Sequence, residues 1–565
     1  MPTLLAGITG DITLAFHASE DLSASPTGMP TSFAFKLLRD DTGKPLYSAV
    51  DDAPRDLVAQ VQAAGFNIDP ETLEITFLKT AWDGPLGAYE EKPGAARPAI
   101  GSNIDFKGSK PILGPLLYTM GYKTYTATTI SFTLATGVIA DSGNGLAEFK
   151  TGDTVVVTGS TSNNGTYTIA SGGGVAGSFT VAEALVDEAA GASVTLTVSH
   201  TGAITDVKEF KGGIYVVTGS RFIFKVVNWG TPGSSYLVSV HRATDAATGF
   251  AQLHAHNGYL YASAGTTAAY VYSADGATWV ASNRGGTDQQ ATEMITMNGV
   301  LHKRVGANNH HELPAATDTG INGATAWASA DQIGDTSYAI GRMLGLEDGV
   351  AFAMDNGVVT LDYTGNIRDV LPELQNFSGL IVSGAVRSWR NNALVVPMRD
   401  GGVHLYKEGL DLDISPTLQL ERILDLTVFK SPPLDQALVD IGSAGLYAYA
   451  YNTDAAANYR VLVLEDVPNI GPIWRSFITV LSGTATNKMW VSYVSLSASA
   501  GPVIWVDRVD NASRLGYWIV PVSPDATLDG RSRFTSSGII YDPWLTLGCP
   551  ETTKRWSHIE VAVTQ

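Results

Sequence analysis

The stretch His256-Asn257-Gly258-Tyr259-Leu260 contains the pattern that decides the fold: an apolar run, a tight turn, then an alternating strand. Asn-Gly supplies the positive φ angles that a two-residue hairpin requires, so this turn predicts a β-hairpin. The third residues of the successive turns are spaced by 45, 41, 50, 43, 53 and 56 residues. The other turns of the series are Lys211-Gly212-Gly213, Met297-Asn298-Gly299, Glu347-Asp348-Gly349, Arg390-Asn391-Asn392, Ser443-Ala444-Gly445 and Ser499-Ala500-Gly501.

A second pair of strands follows each turn, as in Arg221–Lys225 and Val358–Asp362. Four strands in about 40–50 residues are typical of a β-propeller blade, so the sequence predicts a mainly β protein with a propeller of about seven blades. The two loosest spacings leave six or eight blades open. The alternative interpretation is a pair of β-sandwiches whose turns coincide with this period.

One predicted blade contains Ser273-Ala274-Asp275-Gly276-Ala277-Thr278-Trp279, which resembles the Asp-box turn of sialidase-like propellers. The resemblance implies a structural turn, in which the Ser273 and Asp275 side chains bond the backbone around Gly276 and Trp279 packs between sheets. In such families this turn lies away from the active site.

Composition excludes several classes of protein. The 565 residues include 36 Lys and Arg against 55 Asp and Glu, a net charge of −19, which argues against a nucleic-acid coat or a binder of anionic membranes. Hydrophobic residues reach 44%, enough for large cores. The single cysteine, Cys549, excludes a disulfide framework. We expect neither a signal peptide nor a membrane span, because no basic start and no run of 18 apolar residues is present.

Four regions are predicted along the chain. Residues 1–120 form an α+β docking domain, with a helix over 54–64 that begins at Pro54 and ends before Gly65. Residues 125–200 form a small inserted β-module, 206–525 the propeller, and 526–565 the closing strands.

The stretch Phe149–Ser160, followed by Asn163-Asn164-Gly165 and by Val186–Gly191, resembles a small β-module of bacteriophage virion proteins. The C-terminal stretch Thr552–Val563 resembles closing strands of phage tail and nozzle proteins. The resemblance implies a structural component of a virion tail (tail tip, nozzle or baseplate), assembled in the host cytoplasm. Its partners would be other tail proteins and further copies of itself in a ring, with no enzymatic activity and no cofactor.

Two other functions remain open. The first is a propeller that binds a host surface glycan, for which the candidate contacts near predicted turns are Tyr259, Tyr261, Trp389 and Trp505. The second is a glycosidase, which would need a cluster of arginines in one cleft. Arginines lie near several blade turns, but the sequence gives no reason for them to converge, so this function is less favoured; they are Arg304, Arg342, Arg390 and Arg508.

Signals for metal binding are weak. His254 and His256 would share one face of a strand, which suits either a metal or a plain exposed face. His310 and His311 are predicted in a loop. The oxygen-rich group Asp507, Asp510 and Asn511 lacks the carboxylates and glycine of a calcium loop, so a β-turn is favoured. We therefore predict no metal site.

Overall fold

The computed structural model describes most of the chain between residues 112 and 370 and separate segments on either side. The described residues are 12–15, 67–68, 75–76, 89–90, 100–102, 104–105, 112–229, 234–244, 249–282, 286–312, 327–347, 349–362, 364–370, 381–389, 393–398, 402–407, 410–415, 438–440, 446–451, 459–467, 471–480, 484–496, 499–509, 515–520, 538–541 and 544–545.

Short strands precede the predicted β-module. They are β1 (Ile12–Ala15), β2 (Asn67–Ile68), β3 (Ile75–Thr76), β4 (Tyr89–Glu90), β5 (Ile100–Ser102), β6 (Ile104–Asp105), β7 (Ile112–Leu113) and β8 (Tyr118–Tyr122). Strand β8 alternates buried and outward-facing residues, with Tyr118, Met120 and Tyr122 buried, as a strand of period two requires.

The β-module is a seven-stranded sheet in the order β10-β11-β14-β13-β12-β15-β9. Its strands are β9 (Thr124–Ala127), β10 (Ile130–Thr133), β11 (Val138–Asp141), β12 (Thr154–Thr158), β13 (Gly165–Ser171), β14 (Ser178–Val181) and β15 (Val194–Val198). Val155 and Val157 of β12 are buried while their neighbours are not, because alternate β-branched residues face one core.

Antiparallel sheets follow the module. The strands of the first two are β16 (Ile204–Phe210), β17 (Gly213–Thr218), β18 (Phe222–Val227) and β19 (Tyr236–Arg242), then β20 (Gln252–His256), β21 (Tyr259–Ser263), β22 (Val271–Ser273) and β23 (Val280–Ala281). The next two comprise β24 (Glu293–Met297), β25 (Val300–Val305), β26 (Asn309–Glu312), β27 (Asp331–Gln332), β28 (Ile340–Leu346), β29 (Gly349–Met354), β30 (Gly357–Asp362) and β31 (Ile367–Asp369).

The later strands continue the series. They are β32 (Arg387–Trp389), β33 (Ala393–Pro397), β34 (Val403–Lys407), β35 (Leu410–Asp413), β36 (Leu438–Asp440), β37 (Leu446–Tyr451), β38 (Tyr459–Val467), β39 (Gly471–Val480), β40 (Thr484–Leu496), β41 (Ser499–Val509), β42 (Leu515–Ile519), β43 (Gly538–Tyr541) and β44 (Trp544–Leu545). Sheets β20–β23, β24–β27, β28–β31, β32–β35 and β36–β39 each hold four strands in sequential order.

Strand β8 joins the two ends of the series. It pairs antiparallel with β42, where Met120 lies opposite Leu515, and parallel with β19, where Gly121 lies opposite Tyr236. The result is one eight-stranded sheet in the order β16-β17-β18-β19-β8-β42-β41-β40. Residues 118–120, the end of the predicted docking domain, therefore belong to a propeller sheet.

The first strands of the sheets form a closed circuit. They lie side by side in the order β16, β20, β24, β28, β32, β36 and β40, and β40 returns to β16. This radial arrangement of sequential antiparallel sheets is a β-propeller. The pair of β-sandwiches considered as an alternative does not produce such a circuit.

Two of the predicted Asn-Gly hairpin turns have the backbone conformation that their sequence predicts. Both central residues have positive φ in Asn257-Gly258 (45° and 79°) and in Asn298-Gly299 (47° and 79°). The last predicted turn is misplaced: residues 499–501 lie within strand β41, where Ser499 pairs with Leu496 of β40. Without an Asn-Gly or Asp-Gly pair at this turn, the sequence does not mark its position.

Helix is scarce in the described segments, which contain only the short 3-10 helices Gly286–Gln289 and Ser383–Ala385. The predicted helix over 54–64 and the C-terminal stretch 552–563 lie outside the described residues, as does Cys549. Where the structure describes the chain, none of its helices is long and apolar enough to span a bilayer.

One hydrophobic core joins the module to the eight-stranded sheet. Phe179 and Leu196 of the module belong to the same buried cluster as Phe224, Trp505 and Tyr517 of that sheet. The module is therefore packed against the place where β8 joins the first and last sheets.

Candidate functional site

The junction between the β-module and the propeller is built around the buried carboxylate of Asp153. The Ser239 hydroxyl on β19 donates to its Oδ1 at 2.6 Å, and the Lys150 backbone N–H donates to Oδ2 at 2.8 Å. His200 Nε2 lies 3.3 Å from Oδ1. Because Asp153 is 1% exposed, its charge depends on these partners rather than on water.

A second polar group closes the edge of this junction. Lys123 Nζ lies 2.5 Å from Glu148 Oε2, and the Tyr236 hydroxyl donates to the same carboxylate at 3.0 Å. Gly152 has a φ of +93°, and a Cβ there would lie 2.3 Å from the Arg242 side chain. Arg242 therefore packs on bare backbone, a close approach that requires glycine.

Neighbouring sheets near the propeller axis are joined by side chains of their first strands. Asp206 Oδ2 accepts from the Leu253 N–H at 2.7 Å, Gln252 Oε1 from the Met294 N–H at 2.6 Å, and Glu293 Oε2 from the Met343 N–H at 3.0 Å. We call Asp206, Gln252 and Glu293 the inter-sheet acceptors. The innermost strand of a blade is an edge strand, and each acceptor satisfies a backbone donor on such an edge.

Glu293 differs from the other two because it also faces two arginines. Arg304 Nη2 lies 3.5 Å from Glu293 Oε2, and Arg342 Nε lies 3.4 Å from Oε1. The structure thus brings two of the four predicted arginines together, at a buried glutamate rather than in an open cleft. Arg390 and the side chain of Arg508 lie outside the described residues.

Asp206 is a buried acceptor with a displaced pKa. Burial raises its pKa to about 6, against the opposing effects of the Leu253 N–H and of the cations Lys208 and Arg342. Because this carboxyl group titrates near pH 6, a change of pH across that value alters the charge of Asp206, which bonds the β16 strand to the Leu253 N–H of the next sheet.

The Asp-box-like turn is held by its own side chains. The Ser273 hydroxyl donates to Asp275 Oδ1 at 3.0 Å and accepts from the Gly276 N–H at 2.8 Å. Trp279 Nε1 donates to the Gly276 carbonyl at 3.2 Å. The Trp279 indole packs edge-on against Tyr215 of the adjoining sheet, with the two ring centroids 6.4 Å apart. The turn therefore fixes one sheet against the next.

Most of the aromatic residues proposed to contact a glycan are inside the propeller. Tyr261 is 2% exposed, Trp389 4% and Trp505 0%, and Trp505 Nε1 donates to Ser492 Oγ at 2.8 Å. Tyr259 is half-buried beside Tyr272. Surface contact with a sugar is thus unavailable to three of the four, because both faces of a propeller sheet pack against neighbouring sheets.

His254 and His256 share one partner instead of a metal. Their Nε2 and Nδ1 atoms lie 2.7 Å and 2.8 Å from the Thr296 hydroxyl on the next sheet. Burial, with Lys208 nearby, lowers the pKa of His254 to about 3. Within the described part of the chain, no group of three or more His, Cys, Asp or Glu residues is placed to hold a metal ion.

The structure does not bring the other candidate metal ligands together as a site among the described residues. Asp507 is buried at 1% exposure, and Asp510 and Asn511 lie outside the described residues. His310 is not in a loop as predicted but on β26, where its Nε2 lies 3.1 Å from His302 Nδ1. Sequence reasoning missed this pair because His302 and His310 are eight residues apart and meet only across a hairpin.

The comparisons with known proteins give no family. No protein-family model and no curated protein matches the chain. Among solved structures, YCF48 from Cyanidioschyzon merolae is 8% identical with a TM-score of 0.38, covering 56% of this chain and 95% of that one. The computationally designed Ika8 protein is 11% identical, TM-score 0.32, covering 57% and 97%. The AfRom2 CNH domain is 9% identical, TM-score 0.36, covering 56% and 94%. Similarity at this level carries no argument about function.

Proposed function

We propose that this protein is a non-enzymatic structural component of a bacteriophage virion tail, in which a seven-bladed propeller and the β-module act as one rigid unit. The observation that carries the proposal is the junction at Asp153. A buried carboxylate that bonds across the junction, inside a shared core, resists movement of the module relative to the sheet. Rigidity of this kind suits a part that transmits position within an assembly.

The blade number follows from dividing the eight-stranded sheet. Strands β16–β19 form one blade, and β40, β41, β42 and β8 form another, in addition to the five four-stranded sheets. The cyclic order of the first strands supports this count. On this interpretation, a strand from before the module completes the last blade, so the propeller is closed by pairing strands that are remote in sequence.

The outer rim supplies surface for assembly. Leu410 and Leu412 on β35 are 75% and 49% exposed, and Ile367 on β31 is 51% exposed. Both strands are the outermost of their sheets. Packing of copies or of other tail proteins around an axis would cover such edges, which are otherwise prone to aggregation.

The charge of the chain fits a place beside a DNA passage. A net charge of −19 repels phosphates, so a lumen lined by this protein would let a genome slide without being retained. A basic lumen in the assembled particle would contradict this part of the proposal.

The glycan-binding alternative has less support, since three of its four proposed contacts are buried. A glycosidase has less still, because the two arginines that converge do so on Glu293 inside the propeller. Binding of the purified chain to a glycan array, or turnover of a chromogenic sugar, would favour one of these instead.

Immunogold electron microscopy tests the virion assignment. Antibodies against residues 125–200 would be applied to particles released from cells that make this protein, with antibodies against an unrelated cytoplasmic protein as the control. We expect gold at the tails of intact particles. Gold confined to unassembled material, with unlabelled tails, would overturn the assignment.

A further inference from the structure

The histidines His302 on β25 and His310 on β26 meet end to end in the interior. His302 is 5% exposed and His310 0%. Their facing nitrogens, His302 Nδ1 and His310 Nε2, are 3.1 Å apart, while the ring centroids are 5.3 Å apart with planes inclined by 17°. A centroid separation so much longer than the N···N distance means that the rings face each other tip to tip rather than lying face to face.

The N···N distance fits a shared proton, and the described residues around the pair supply no further metal ligands. Two imidazole nitrogens on one tetrahedral zinc ion, with Zn–N bonds of about 2.0 Å, would lie about 3.3 Å apart. The case against a metal therefore rests on the ligand set: among the described residues, no group of three or more His, Cys, Asp or Glu is placed to hold one. The observed 3.1 Å is a hydrogen-bond distance. One nitrogen donates and the other accepts, so the neutral pair holds a single proton between the rings.

The surroundings determine which nitrogen takes the next proton. Asp331 Oδ2 lies 3.8 Å from His310 Nδ1, which favours a proton on that atom. His310 Nε2 then accepts from His302 Nδ1–H, and His302 Nε2 is left as the basic atom. His302 Nε2 is buried and has no hydrogen-bond partner among the described residues.

The groups that face this pair disfavour added positive charge. His256 lies near His302 from the β20 sheet, and Arg304 is the direct register partner of His310. Phe352 of the β28 sheet packs its ring against His310 at 5.1 Å. On β24 the residue opposite His302 is the apolar Ile295.

The carboxylates nearby do not offset a new charge. Glu293 is engaged by Arg304 and Arg342, and the Asp331 side chain is 60% exposed and therefore screened by water. Protonation of the pair would thus place a second cation beside Arg304 in a water-poor interior.

We propose that the His302–His310 pair is an acid-sensitive switch that keeps β25 and β26 closed on each other and packed on Phe352 of the β28 sheet at neutral pH, and opens this part of the propeller when His302 Nε2 is protonated. The proposal goes beyond the virion assignment and does not depend on it.

The energetic direction agrees with the geometry. Burial, followed by the charges of His310 and His256, lowers the pKa of His302 to about 4 from the usual 6.5. The unfolded or opened segment therefore binds protons more readily than the closed one. The stabilisation is fully present above pH 6.5 and is lost as the pH falls towards 4.

Hydrogen exchange of the full chain between pH 7.5 and 4.5, corrected for the intrinsic pH dependence of exchange, tests the switch. We expect protection in residues 300–312, which exclude the Thr296 contact of His254 and His256, to fall on the order of 30-fold at pH 5 relative to neutral pH, as the displaced pKa of one histidine requires. Residues 178–181 of the module, whose paired strands β11 and β13 contain no histidine, should change little.

The matched variant is H302N/H310Q, whose amides occupy the positions of the two facing nitrogens and keep a hydrogen bond without titrating. It should retain protection in residues 300–312 at pH 5. The control H404N removes a histidine bonded to Asp411 on another sheet, at 2.9 Å, and should behave as wild type. If the wild-type protein shows no localised loss by pH 4.5, the proposal is wrong whether or not the double variant folds. Equal losses in the wild type and in a folded double variant would also overturn it.

Discussion

Replacing Glu293 by alanine gives the sharpest test of the contacts between sheets. The side chain is 6% exposed, accepts from the Met343 N–H at 3.0 Å, and faces Arg304 and Arg342. Its removal leaves one backbone donor without its acceptor and two guanidinium groups without their counter-charge. Breaking a buried ion pair from one side costs about 3–5 kcal/mol.

The expected cost for Glu293→Ala lies at the lower end of that range. Arg342 is 25% exposed, so water compensates part of the lost attraction. About 3 kcal/mol corresponds to about a hundredfold increase in local opening. Gln252→Ala is the matched control, because it removes a neutral acceptor from the Met294 N–H and should cost about 1–2 kcal/mol.

The assay is site-resolved hydrogen exchange, which does not require the whole chain to unfold in one step. Glu293→Ala should lower protection at Met343 on β28, whereas Gln252→Ala should lower it at Met294 on β24. Glu293→Gln, which keeps an acceptor but not the charge, should fall between wild type and alanine. A Met343 amide that exchanges within about threefold of wild type in Glu293→Ala would refute the role assigned to these side chains.

The remaining predictions concern three other contacts. Gly276→Ala should destabilise the protein more than Gly258→Ala. Both glycines have positive φ (+74° and +79°), but only at Gly276 would a Cβ clash with a neighbour, lying 1.8 Å from the Tyr215 hydroxyl. Thermal melts compare the two variants, and equal melting points would contradict the packing described. Asp206→Asn should remove a stabilisation that is present in the wild type below pH 4 and is lost as the pH rises through 6. Denaturant unfolding of both proteins at pH 4.5 and 7.5 measures this effect, which we expect to be about 2 kcal/mol. Parallel pH profiles of the two proteins would contradict it. Ser239→Ala should cost about 1–3 kcal/mol, because it leaves Asp153 Oδ1 with one partner fewer. The loss is measured as lower exchange protection at residues 153–158, with Ser337→Ala, at an exposed serine, as the control. Unchanged protection at residues 153–158 would mean that the junction does not depend on this bond.

Local patterns of the sequence predicted the repeating hairpins well. The Asn257-Gly258 and Asn298-Gly299 turns have positive φ at both residues because that backbone is encoded within two residues. The strands of the module follow from alternating apolar residues in the same way, as in β12.

Long-range pairing could not be predicted. Tyr118–Tyr122 has the alternation of any strand, and nothing local indicates that its partner is Leu515–Ile519, nearly 400 residues later. The burial of Tyr261, Trp389 and Trp505 could not be predicted for a related reason: residues next to a turn are exposed in an isolated hairpin, but in a propeller both faces of the sheet are covered.

The inter-sheet acceptors carried a signal that alignment of the repeats would have found. Asp206, Gln252, Glu293 and Arg342 each stand five residues before the first of the two loop residues of their hairpin, which are Lys211, Asn257, Asn298 and Glu347. A polar residue recurring at one position of a buried first strand indicates a repeated hydrogen bond. The His302–His310 contact has no such repeat, since it occurs in one sheet alone among those described.

The native mass of the purified full chain, measured by light scattering with negative-stain images of the same fractions, tests the central claim most directly. We expect closed rings with a mass that is a multiple of 59.6 kDa, each subunit showing a disc with the module fixed at one place on it. A monomer that binds glycans, with the module at variable positions relative to the disc, would contradict a rigid assembly scaffold.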